Sequence, residues 1–154
     1  MNGSSMHWTT YIVAAVAVYG AVLSTYTALS KLRQGRRRIR VKFSWGALFQ
    51  GPEVSPQMLF IIVSNPGNRA VTIHTPAIIL PNDTRVVFPD PHSDVGFPCD
   101  LPEGQSCKVW IEVRELAEFL KSRGFSGKTK LVAICEDAVD NVYKSRSTIF
   151  DVDR

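Results

Sequence analysis

Three groupings of residues in this chain have the side-chain types that do chemistry, and each fails on spacing. Ser126-Gly127-Lys128-Thr129 has the lysine and hydroxyl that close a phosphate-binding loop. The full pattern needs a glycine five positions before Gly127, where Ser122 stands, and a helix afterwards, where Lys130 to Ile134 reads as a strand. The segment is therefore expected to be a helix-to-strand turn. Asp90-Pro91-His92-Ser93-Asp94 sets two carboxylates around an imidazole, a set that hard and borderline metals accept. Only Cys99 is near enough in sequence to add a further ligand. Cysteine–histidine catalysis needs a thiolate beside a base. Cys107 and Cys135 fall within expected strands, Glu136-Asp137 works against a thiolate at Cys135, and Cys99 has no neighbouring histidine. No serine nucleophile elbow is present, so the reading assigns no catalytic, cofactor or metal residues.

The chain's informative chemistry is physical, and it lies at the N-terminus. From Trp8 to Ser30, 23 residues carry no ionisable group except tyrosine. As a helix they would reach about 34 Å, enough for a hydrocarbon core of about 30 Å. A lone span in lipid must be helical, because the backbone has no other hydrogen-bond partners there. Trp8, Tyr11 and Tyr26 sit near the ends, where amphipathic rings favour the headgroup layer. The next twelve residues carry seven bases, Lys31, Arg33, Arg36, Arg37, Arg38, Arg40 and Lys42, and no acid. Bases are retained on the cytoplasmic side. The expected organisation is a short extracytoplasmic tail (1–8), a transmembrane helix (9–30), a basic juxtamembrane linker (31–42) and a cytoplasmic folded domain (38–154). The alternative is an exported ligand- or protein-binding module, cleaved near Ala28-Leu29-Ser30. Against it stand the length of the apolar stretch and the absence of Lys or Arg before it.

The overall charge of +4 is a property of that linker. Seven of the 18 Lys and Arg precede residue 43, leaving 11 against all 14 Asp and Glu. The linker bases, Lys31 to Arg40 above all, are expected to meet anionic lipid headgroups, at about 1 kcal/mol per base near the surface. Nucleic acid is the poorer match, because the folded part shows no basic stripe in sequence. Within the span, Ala17 with Ala21 and Gly20 with Ser24 have the spacing of small residues that lets two helices approach. That points to self-association or to a second membrane protein. Three cysteines in a cytoplasmic domain are expected to be free thiols.

The remaining sequence reads as strands. Ile39, Val41, Phe43 and Trp45 alternate with polar residues, the period of a strand with one buried face. Met58 to Val63 is a continuous apolar run, ended by the turn Asn65-Pro66-Gly67-Asn68. Further strands are expected at 70–80, interrupted by Pro76, and at 85–88, 107–113, 131–135 and 142–150. Leu116, Phe119 and Leu120 fall on one helical face, and Gly124 stands where a helix C-terminus wants a left-handed residue. The expected fold class is all-β: an antiparallel sandwich of about seven strands with one short helix, after a single transmembrane helix.

The Asn65-Pro66-Gly67-Asn68 turn after an apolar strand, followed by Val71-Thr72-Ile73, resembles immunoglobulin-like and fibronectin-like modules. The resemblance spans roughly residues 38–152, lacks the Cys…Trp…Cys hallmark, and also fits small sandwich domains on single-pass bacterial membrane proteins. It implies a fold and no particular function. Two connections are longer than connection requires. Residues 89–106 contain Val95 and Phe97, and residues 46–57 contain Leu48 and Phe49. These four residues are the candidate partner loops. The functional expectation is an interaction or adaptor domain held at the cytoplasmic membrane face within a protein complex. Its partner would be another membrane or cytosolic protein, or a second copy.

Overall fold

The alternation from Arg40 onward builds a regular edge strand, and the apolar run from Met58 builds the strand beside it. The structure, a computed structural model, describes residues 5–34, 38–51, 53–88 and 91–153. In chain order the elements are α1 (Ser5–Gln34), β1 (Arg40–Gly46), β2 (Phe49–Gln50), β3 (Glu53–Val54), β4 (Met58–Ser64), β5 (Val71–Ile73), β6 (Ala77–Ile79), β7 (Arg85–Val87), β8 (His92–Ser93), β9 (Cys99–Leu101), β10 (Ser106–Glu112), α2 (Val113–Ser122), β11 (Lys128–Glu136), β12 (Val142–Lys144) and β13 (Thr148–Asp151). They fall into two units, residues 1–36 and 37–154.

In the first unit, Trp8–Ser30 is one helix long and apolar enough to cross a membrane. Its side chains from Trp8 to Leu29 are all exposed. Thr25 and Thr27 donate their hydroxyls to the carbonyls of Ala21 and Leu23, each at 2.8 Å. Both hydroxyls are thus satisfied within the helix. The helix runs four residues past the expected end at Ser30, so Lys31 and Arg33 belong to it rather than to an extended linker.

The second unit is mainly antiparallel sheet. One sheet has the order β1-β4-β10-β8, the other β12-β11-β6-β7 with β13 also on β11, and the pairs β2-β3 and β5-β9 stand apart. Val41, Leu59, Ile61, Val63 and Cys107 of the first sheet share one core with Ile78, Leu131, Ala133, Cys135 and Phe150 of the second. β4 is apolar on both faces for a reason. Leu59, Ile61 and Val63 are buried in the core, whereas Phe60 on the opposite face packs 6.1 Å from Trp110 between ring centroids. α2 adds Leu116, Ala117 and Leu120 to the core. It ends as its sequence suggests. Gly124 at φ +83° donates to Lys121 O at 2.9 Å, and Phe125 donates to Leu120 O at 3.0 Å. That pair of bonds is the Schellman termination.

Several expected elements divide more finely. The strand expected at 142–150 is two, because the chain leaves the ladder at Ser145, whose Oγ accepts the Ala133 N–H at 2.9 Å in place of a backbone carbonyl. The connection 89–106 holds β8 and β9, and the connection 46–57 holds the β2–β3 hairpin, so neither is a structureless loop. With two helices present, the chain is mainly β rather than strictly all-β.

Candidate functional site

β1 is an edge strand, and so is the β12–β13 side of β11; a groove opens between these two edges. Its volume is about 960 Å³. Arg38, Arg40 and Lys42 line one side, Lys144 and Arg146 the other, with Ser147 and Thr148 beside them and no Asp or Glu. Each base is exposed. The break at Ser145 helps to shape the groove, since residues 145–147 leave the strand there. Sequence alternation alone runs these residues together as one strand and shows no basic stripe in the folded part. The polar run Lys144-Ser145-Arg146-Ser147 inside an apolar strand was the available signal. Of the residues singled out as a membrane surface, Arg38 and Arg40 join this groove. Arg36 and Arg37 lie outside the described residues, as do the side chains of Lys31 and Arg33.

The partner-loop residues part company. Val95 and Phe97 are half-buried against the core. Leu48 is half-buried at the base of the β2–β3 hairpin, which Ser55 closes: its Oγ accepts from Leu48 N at 2.7 Å, and its N–H donates to Leu48 O at 2.8 Å. Phe49 is 79% exposed on the same hairpin, with Val54 exposed opposite it in register. Ala17, Gly20, Ala21 and Ser24 all lie on α1 with exposed side chains, and the space around a Cβ at Gly20 is open.

The residues with chemical side chains are occupied structurally. Gly127 N donates to Asp153 Oδ2 at 2.7 Å, and Lys128 opens β11, so a carboxylate holds the amide a phosphate would need. Asp94 Oδ1 accepts the Lys108 N–H at 2.7 Å, His92 pairs with Trp110 in the ladder, and Asp90 lies outside the described residues. Among the described residues no three His, Cys, Asp or Glu side chains come together to hold a metal. Burial pushes the Cys107 and Cys135 thiols up to about 12 and raises Cys99 as well, the neighbouring Cys107 thiol opposing that rise. All three cysteines are free.

One buried carboxylate went unnoticed in sequence. Asp137 is 1% exposed at the β11–β12 turn. Its oxygens accept from Val139 N at 3.0 Å, Asn141 N at 2.9 Å, Asn141 Nδ2 at 2.9 Å and Tyr143 Oη at 3.0 Å. Burial alone would raise its pKa, but the bonds from Asn141, Val139 and Tyr143 outweigh it and hold the carboxyl below its ordinary value. A fully bonded carboxylate fixes a turn and has no lone pair left for a substrate. Asn65, also 1% exposed, fixes the other turn by donating to the carbonyls of Arg69 and Leu101 and accepting from Gly67 N.

No family model and no curated protein matches the chain. Among solved structures, the one titled "X-ray structure of Northeast Structural Genomics Consortium target SoR45" aligns with 77% of this chain and 88% of its own at 9% identity, with a TM-score of 0.35. A likeness at that level carries no argument.

Proposed function

We propose that the chain is a single-pass membrane protein that presents a small immunoglobulin-like β-sandwich at the cytoplasmic face of the cell membrane, as an interaction or adaptor domain within a protein complex. The observation that carries this reading is the junction at residue 30: 23 uncharged residues in one helix, then seven bases in twelve positions. Arginines and lysines resist transfer through the bilayer, which sets the side on which residues 31–154 remain. The immunoglobulin-like assignment is supported by two antiparallel sheets enclosing one core. The interaction role is supported by the occupied state of the chemical side chains and by Phe49, an aromatic ring held out on a closed hairpin where it adds nothing to the core. Confinement to a surface raises the effective concentration of such a contact, so modest affinity suffices. Linker bases would add attraction to anionic lipid, and the small-residue face of α1 would pack on a second helix.

The test is affinity recovery from detergent extracts of the full chain, of the chain lacking residues 1–30, and of Phe49→Ser. The reading expects a stoichiometric partner, or a second copy, that is depleted by one or both changes. Recovery of the chain alone in every case overturns it. The mass of the mature chain separates the exported alternative, which requires loss of residues up to about Ser30.

A further inference from the structure

One groove of the folded unit is lined by bases without acids. Residues 38–154 contain 14 Lys and Arg and 14 Asp and Glu, a neutral balance. Yet five of those bases, Arg38, Arg40, Lys42, Lys144 and Arg146, line a single groove that no acid enters. The ion pairs among the described residues join Arg85 to Glu136, Arg114 to Glu118 and Lys121 to Asp153, and so leave all five bases out. Like charges held together repel, and an anion between them turns that repulsion into attraction. The groove is built by two stretches far apart in the chain: residues 38–43, which run into β1, and residues 143–148, which span the end of β12, the break after it and the start of β13. Lys144 and Arg146 lie more than a hundred residues along the chain from the basic linker, so they owe nothing to the rule that orients a membrane span.

We propose that this groove binds anionic phospholipid headgroups, as a second lipid contact that fixes how the folded domain stands on the bilayer. The occupant follows from charge complementarity and from the tether. Arg38 comes four positions after Gln34, where α1 ends, and belongs to the same basic run that flanks the span. The bilayer that receives the helix therefore supplies headgroup phosphates and carboxylates at high local density to the groove. An acidic peptide would match the same charges, but it would have to be recruited. The inference rests on the membrane-anchor part of the functional reading alone; it needs neither a protein partner nor a particular side of the membrane.

The experiment uses the full chain in nanodiscs of phosphatidylcholine and phosphatidylserine in equal amounts, with a photo-cross-linking amino acid at Ser147, which lines the groove and is exposed. Mass analysis of the adducts reads which lipid occupies it. The expected result is at least a roughly fivefold preference for phosphatidylserine. The double variant Lys144→Glu, Arg146→Glu should lower that adduct about tenfold, as should about 1 M salt, which shortens the screening length to about 3 Å. Arg33→Gln should leave most of it. Both exchanged groove residues are exposed, and an unchanged urea midpoint certifies the fold. Equal labelling of the two lipids, or an adduct indifferent to the double variant, overturns the proposal, as does an adduct in native membranes made with a protein instead of lipid. A chain that does not enter the discs at all overturns the anchor on which the proposal rests, and is recognised by its absence from the disc fraction.

Discussion

Asp137→Ala removes the acceptor of four hydrogen bonds in one step. The bonds lie between 2.9 and 3.0 Å and converge on a side chain that is 1% exposed. Bonds to a charged acceptor are worth about 1.5–3 kcal/mol each in isolation. They are not additive here, because Val139 and Asn141 are exposed and water can take over their N–H groups. The half-buried Tyr143 hydroxyl has less access to a substitute. The net cost is therefore taken as about 3 kcal/mol, near the value of one strong bond plus part of the rest. For a domain of this size a urea slope of about 1.5 kcal/mol/M converts that into a midpoint lower by about 2 M. The assay is urea unfolding of the full chain in a non-ionic detergent, followed by tryptophan fluorescence, to which Trp45 contributes with its ring stacked on buried Phe150 at 5.9 Å. The pH dependence has a definite sign. The folded carboxyl titrates below its ordinary value, so its contribution is complete above about pH 4 and is lost as the pH falls through the folded value. The gap between parent and variant should be full at pH 7 and shrink at about pH 3. A variant midpoint within about 0.3 M of the parent at pH 7, or a gap that is the same at both pH values, refutes the reasoning.

Two further outcomes follow from local geometry. Gly124→Ala should cost about 1 kcal/mol in the same assay, because φ is +83° while the space around an added Cβ is open, so the penalty is one of backbone alone; no loss of stability would contradict the left-handed helix end. An aromatic disulfide reagent at pH 8 should modify Cys99 slowly and leave Cys107 and Cys135 untouched until urea is added. With those two thiols pushed up to about 12 by burial, only about one in ten thousand is ionised at that pH; three thiols reacting together in the native chain would contradict the packing.

The apolar run Met58 to Val63, the Gly124 helix end and the turn at Asn65 were legible, because each is a local signal: a run, a left-handed position, a turn tetrapeptide. Pro76 interrupted the chain between β5 and β6 as its missing N–H requires. The division at Ser145 was not legible, since a side-chain hydroxyl replaces a carbonyl in the ladder and no periodicity announces that exchange. For the same reason the groove stayed hidden. Its two sides come from the start and the end of the folded unit, and only the closing of two sheets on one core brings Arg40 and Arg146 to one surface. Asp137 stood out in sequence only as an acidic neighbour of Cys135, because nothing in one sequence marks which carboxylate is buried and fully bonded. Val95 and Phe97 show the converse: apolar residues in a long connection have a core to pack on as well as a partner to meet.

The side of the membrane that the folded domain occupies decides between a cytoplasmic interaction domain and an exported one. The direct measurement is labelling of a new surface thiol by a membrane-impermeant maleimide, in intact and in opened cells. Ser126→Cys is suitable, since Ser126 is exposed and lies outside every strand and helix. Cys99→Ser removes the half-buried native thiol, and Cys107 and Cys135 are shielded by burial. Labelling that appears only after the cells are opened is the result expected of a domain held back by Lys31 to Lys42. Full labelling of intact cells would place the domain outside and contradict the account.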